Sequence, residues 1–168
     1  MTVNLKTKEI LSGSFQIIVG IFFLYYISLF SRFQFLNERC QLSISKSIKL
    51  IIIQQHFEIL ISIGFVFSGV FLIINRKFGW ISSIALSIVI AIADLLLLYL
   101  NQDNDLVYYS TLDYVFYVFL ALIFLANAIF LISKDFRVEF NPTNTTWIIV
   151  LVIILLLIID FLHFLFVI

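Results

Sequence analysis

Residues 147–168 read WIIVLVIILLLIIDFLHFLFVI, and nothing but an aqueous impossibility would result if this stretch had to live in water. Twenty-two residues carry only two polar side chains, Asp160 and His163, and the apolar positions cover every side of a helix. A membrane-spanning helix needs about 20 mostly apolar residues, so this stretch is a spanning candidate.

Four further stretches meet the same requirement: 11–30, 55–74, 79–100 and 112–133. The whole chain agrees with them. Of its 168 residues, 63% are hydrophobic and 12% charged, against roughly 45–50% and about 25% in a soluble domain; the mean hydropathy is +1.18. A soluble enzyme, a nucleic-acid binder and a disordered regulator are all excluded as leading readings. The expected fold is an all-α integral membrane bundle of about five transmembrane helices in one domain, built in part from two repeated hairpins. A four-span reading, with 55–74 as the weakest segment, is the alternative. Residues 11–30 are too long for a signal-peptide core and lack an A-x-A site, so they read as a retained helix.

The connections are short except for 31–54, SRFQFLNERCQLSISKSIKLIIIQ, which is too polar to span and too apolar for free solution. It is expected to rest at the membrane interface. Cys40 within it is the single cysteine, so no internal disulfide and no multi-cysteine metal pattern is available. With five spans, Lys6, Lys8, Arg76, Lys77, Lys134 and Arg137 fall on one side, and Arg32, Arg39, Lys46 and Lys49 on the other. The basic, tight NRKFG turn at 75–79 marks its side as the inner one. The expectation is an inner membrane, bacterial or organellar, with the N-terminus inside and the C-terminus outside.

The hairpins 55–100 and 112–168 resemble each other. Their first helices end FLIINRKF (71–78) and FLISKDF (130–136). Their second helices open on Trp80 and Trp147, and carry Asp94 and Asp160, 14 and 13 residues later. Tryptophan at a helix end suits the membrane interface, and bundles built from repeats place their sites where the repeats meet. Small residues four apart, Gly64 and Ser68 facing Ser83, Ser87 and Ala91, allow close helix approach. They predict a tight centre formed by the second and third spans, with the first and fifth outside it.

Ionisable groups at membrane depth cost about 2.5–3.5 kcal/mol on insertion scales and mark sites by default. The candidates are His56, Glu58, Asp94, Asp113, Asp160 and His163, all in the outer half. Asp160 and His163 share a helix face at i, i+3. One reading is structural, with these groups pairing among themselves and with Lys49, Gln54 and Gln55. A second is a proton or cation pathway through Asp94, Asp160 and His163. A third is a metal held by His56, Glu58, Asp160 and His163, an acceptable ligand set for first-row metals. The last is a b-type haem between His56 and His163; no motif calls for any other cofactor. Gln16 and Asn127 read as amides that bond neighbouring helices.

Catalytic motifs are absent: no phosphate-cradling glycine loop, no G-x-S-x-G elbow, no Cys/His signature. The leading functional expectation is a non-catalytic subunit packing within a larger membrane assembly. The alternative is a small oligomeric ion- or proton-coupled transporter or channel using Asp94 and Asp160. A haem- or metal-binding redox subunit comes third. The partners are the lipid bilayer and other membrane subunits or copies of the chain, with no nucleic acid.

Overall fold

The computed structural model describes residues 5–37, 55–100 and 111–167, and these hold six helices and no strand. They are α1 (Leu5–Asn37), α2 (His56–Ile73), α3 (Lys77–Leu100), α4 (Thr111–Leu131), α5 (Lys134–Phe140) and α6 (Asn144–Val167). All but α5 are long and apolar enough to cross a membrane. The chain is therefore an all-α bundle with the architecture of a multi-pass membrane protein.

Helix α1 continues to Asn37 instead of stopping near residue 30, so the start of the expected interfacial segment is helical. The remainder of that segment, with Arg39, Cys40, Lys46, Lys49 and Gln54, lies outside the described residues.

The turn between α2 and α3 shows how local chemistry sets the path. Asn75 takes a left-handed conformation (φ 56°). Its N–H donates to Leu72 O at 3.0 Å, and the Arg76 N–H reaches back to Phe71 O at 2.8 Å. This is a Schellman closure with asparagine in the place that glycine usually takes. Helix α6 starts on a reciprocal cap: Thr146 N–H donates to Thr143 Oγ1 at 3.3 Å, and Thr143 N–H donates to Thr146 Oγ1 at 3.1 Å. Each bond satisfies a helix-end donor that has no partner within the helix.

Helix α3 is the centre of the bundle, packed against α2, α4 and α6. Within its span 61% of the residues are buried, against 11% for α6. Its neighbours bury Trp80, Ile84, Ala85 and Val89 completely.

Backbones also approach closely between α1 and α2, along much of their length. A Cβ built on Gly13 would meet Gly69 O at 2.7 Å, one on Gly69 would meet Gly13 O at 2.5 Å, and one on Gly20 would meet Ser62 O at 2.6 Å. Only hydrogen fits there, and the two helices gain van der Waals contact along their length. The expectation that the first span sits outside the tight centre is corrected on this point: its glycine face is locked to α2. Its other face, with Leu11, Ile18, Phe22 and Tyr25, is exposed.

The interfacial role expected of Trp80 is also corrected. Trp80 has no exposed surface, donates its indole N–H to Leu131 O at 2.7 Å, and stacks on Phe140 at 5.5 Å. The short helix α5, unforeseen in the charged run KDFRVEF, supplies that lid by burying Phe136 and Phe140.

Candidate functional site

The polar side chains inside the bundle fall into three groups at different depths. At the end carrying the basic residues, Lys8 pairs with Asp135, Lys6 lies 3.5 Å from Glu9, and Asn75 Nδ2 donates to Glu139 Oε1 at 2.8 Å. Lys6 also donates to Ile73 O at 2.7 Å and Lys77 to Asn141 O at 3.1 Å. These bonds join the start of α1, the α2–α3 turn and α5 into one end plate.

Midway lie two amide–serine knots. Gln16, fully buried, accepts at Oε1 from Ser68 Oγ and Ser83 Oγ, each at 2.7 Å. Ser12 Oγ donates to Asn127 Oδ1 at 2.9 Å, while Asn127 Nδ2 donates to Ser87 Oγ at 2.9 Å. One knot joins α1, α2 and α3, and the other joins α1, α4 and α3. The small-residue stripe thus serves hydrogen bonding as much as close packing: Ser68, Ser83 and Ser87 are each bonded to an amide. Gly64 faces the Leu86 side chain, with its missing Cβ 3.2 Å from it, and Ala91 is buried in the α3 core.

The third group is at the far end. His56 at the start of α2 places Nε2 3.5 Å from Asp160 Oδ1 on α6, and its ring lies 6.4 Å from that of His163 at 68°. Phe164 packs against His56 at 5.8 Å. Among the described residues no three metal-ligating side chains come together, so His56, Glu58, Asp160 and His163 do not gather as the four-ligand set considered from the sequence. The Asp113 side chain lies outside what is described.

Beside this pair is a cavity of about 190 Å³, bounded by α1, α2, α3 and α6. Glu58 of α2 and Asp94 of α3 both line it. Glu58 Oε2 and Asp94 Oδ2 are buried and have no hydrogen-bond partner among the described residues. The remaining walls are half aliphatic and half aromatic: the Phe57 ring lies 4.9 Å from that of Phe161 and 6.2 Å from that of Phe164, and α1 contributes Phe23 and Tyr26. Tyr26 is 59% exposed, so the cavity reaches the outer surface of the bundle.

The structure therefore sets Asp94 and Glu58 in the lining of one cavity, while Asp160, 3.5 Å from His56, is not among the residues that line it. Hairpin arithmetic contains the first placement. Glu58 lies 18 residues before Arg76 at the turn and Asp94 lies 18 after it, so an antiparallel hairpin sets them at one depth. The aromatic walls carried no such signal, because phenylalanine in a spanning helix reads equally as lipid-facing surface or as core.

Comparison of the chain with known protein families, with curated proteins and with solved structures finds no match to any of them.

Proposed function

We propose that the protein is a small membrane transporter that loads a proton or a small cation at Glu58 and Asp94. One observation carries this reading: two carboxylates from different helices line one mostly apolar cavity, and each has a buried oxygen without a partner among the described residues. A bare carboxylate in low dielectric is costly, and two sharing a site do not both stay charged unless a cation balances them. Such a cavity gives a proton or cation a reason to enter. Intramembrane acids of this kind mark ion and proton paths. The basic end plate, with Lys6, Lys8, Arg76, Lys77, Lys134 and Arg137, faces the inner side in this reading, and the cavity lies in the outer half.

The subunit reading expected from the sequence rests on how little of the chain lies outside the helices, and it becomes an outcome of the test. The protein is purified in mild detergent, its native mass recorded, and reconstituted into vesicles enclosing a pH-sensitive dye, which are assayed in turn under a potassium diffusion potential and under an imposed gradient of a small cation, sodium or an organic ammonium ion. Proton flux is expected from the wild type, lost in Asp94→Asn and in Glu58→Gln, with helicity unchanged by circular dichroism. Asp160→Asn is expected to retain flux, which separates this cavity from an Asp94–Asp160 site. Equal flux in all variants, or a wild type inert unless a co-purifying chain is present, refutes the proposal; the latter result establishes the subunit reading.

A further inference from the structure

We infer that the cavity takes a small organic cation, a quaternary or tertiary ammonium group of about choline size, as the species exchanged against a proton; this rests on the transport reading above and names its substrate class. Charge alone does not choose between an inorganic ion and an organic one, but the lining does. Hard inorganic cations collect oxygens, typically six or more for calcium and six for magnesium. Here the lining residues that carry side-chain oxygens are Glu58, Asp94 and Tyr26. Half of the remaining lining is aromatic, with Phe57, Phe161 and Phe164 from α2 and α6 and Phe23 and Tyr26 from α1, and the other half is aliphatic.

Aromatic rings around a cation are the recognised means of holding an ammonium group too large and too weakly hydrated to need many oxygens. Each ring attracts it through its quadrupole, more strongly when water is excluded. The carboxylates supply the compensating charge. An apolar cage alone would admit neutral molecules, and carboxylates alone would admit metal ions; the combination selects a cation with an apolar skin. Size narrows the class further. About 190 Å³ is below the roughly 300–1,000 Å³ of sites that enclose drug-sized ligands, so the ligand is a compact head group.

The route follows from the same geometry. Tyr26 lines the cavity and is also largely exposed on the flank of α1, so a ligand reaches the carboxylates from the side of the bundle. Charge balances if one ammonium enters as one proton leaves the Glu58–Asp94 pair.

The test uses choline and its uncharged carbon isostere, 3,3-dimethylbutan-1-ol, titrated calorimetrically into the detergent-purified protein. Two buffers of different ionisation enthalpy count the protons released. Choline is expected to bind with release of about one proton, and the isostere at least about tenfold more weakly. Phe57→Leu, which keeps apolar bulk while removing the ring, is expected to weaken choline by about tenfold and leave the isostere unchanged. Tyr26→Leu, at a largely exposed position where misfolding is not at issue, is expected to act in the same direction. Equal binding of the isostere, or sodium binding with none of choline, overturns the inference. Proton flux in vesicles without any choline binding also overturns it while leaving the transport reading intact. Choline binding without flux refutes transport and leaves the ammonium site standing.

Discussion

Replacing Gly69 by alanine adds one methyl group at the narrowest point of the α1–α2 contact, and the structure gives the size of the insult. The new Cβ would sit 2.5 Å from Gly13 O, a backbone atom of the facing helix, and 2.8 Å from the Ile17 side chain. Ordinary contact begins near 3.4 Å, so the axes must part by roughly 0.9 Å or the helices must slide. Overpacking of this order costs about 1–3 kcal/mol. The better helix propensity of alanine, up to about 1 kcal/mol in water, returns only part of it. Gly64→Ala provides the contrast, because its Cβ would meet only the Leu86 side chain at 3.2 Å, and a leucine tip can yield by a few tenths of an ångström. The assay is equilibrium unfolding in mixed detergent micelles followed by circular dichroism, with both variants and the wild type in one lipid–detergent ratio. Gly69→Ala is expected to lose about 1–3 kcal/mol and Gly64→Ala to stay near wild type. If the two variants melt together, the claim that glycine lets α1 and α2 touch backbone to backbone is wrong.

The Gln16 knot should behave as interhelical glue: a double-mutant cycle of Gln16→Leu with Ser83→Ala is expected to show a coupling near 0.6 kcal/mol and not above about 1.7, and zero coupling would remove the bond from the stability account. Trp80→Phe abolishes the bond to Leu131 O, so limited proteolysis at the α5 segment should accelerate, whereas Trp147→Phe, which touches Trp80 only by ring contact, should change it less. Asn141 closes α5 at φ 41°, a conformation that costs a side chain with a Cβ about 1–2 kcal/mol; Asn141→Gly is expected to melt at or above wild type and Asn141→Ala below it, and the reverse order would place the strain elsewhere.

The spans were legible because hydrocarbon sets a single coarse demand, a run of apolar residues long enough to cross it, and 147–168 meets that demand without reference to any other part of the chain. What stayed hidden depended on adjacency. Gly13 and Gly20 are seven apart on one helix and Gly69 is on another, so their meaning appears only once α1 is known to lie along α2. The same holds for Gln16, whose bonds to Ser68 and Ser83 need three helices in place. KDFRVEF failed for a different reason. Its charges suit a loop, and its two phenylalanines are buried by distant partners, Phe140 against Trp80 and Phe136 against Phe130. The Asp94–Asp160 pairing was suggested by repetition along the chain, whereas depth within each hairpin is what sets Glu58 opposite Asp94.

Both tryptophans of the chain meet at one end, with ring centroids 5.6 Å apart, and Asp94 lies 14 residues along α3 from Trp80, about 21 Å by helix rise. The protein therefore has its optical reporter and its candidate cavity at opposite poles. Ligand binding at Glu58 and Asp94 will be silent in tryptophan emission unless the whole bundle responds. Conversely, a change in that emission on adding ligand would report motion passing down α3 from one leaflet to the other. Quenching by lipids brominated in one leaflet reads the same pair as a depth marker, and so fixes which pole faces which side without any label on the chain.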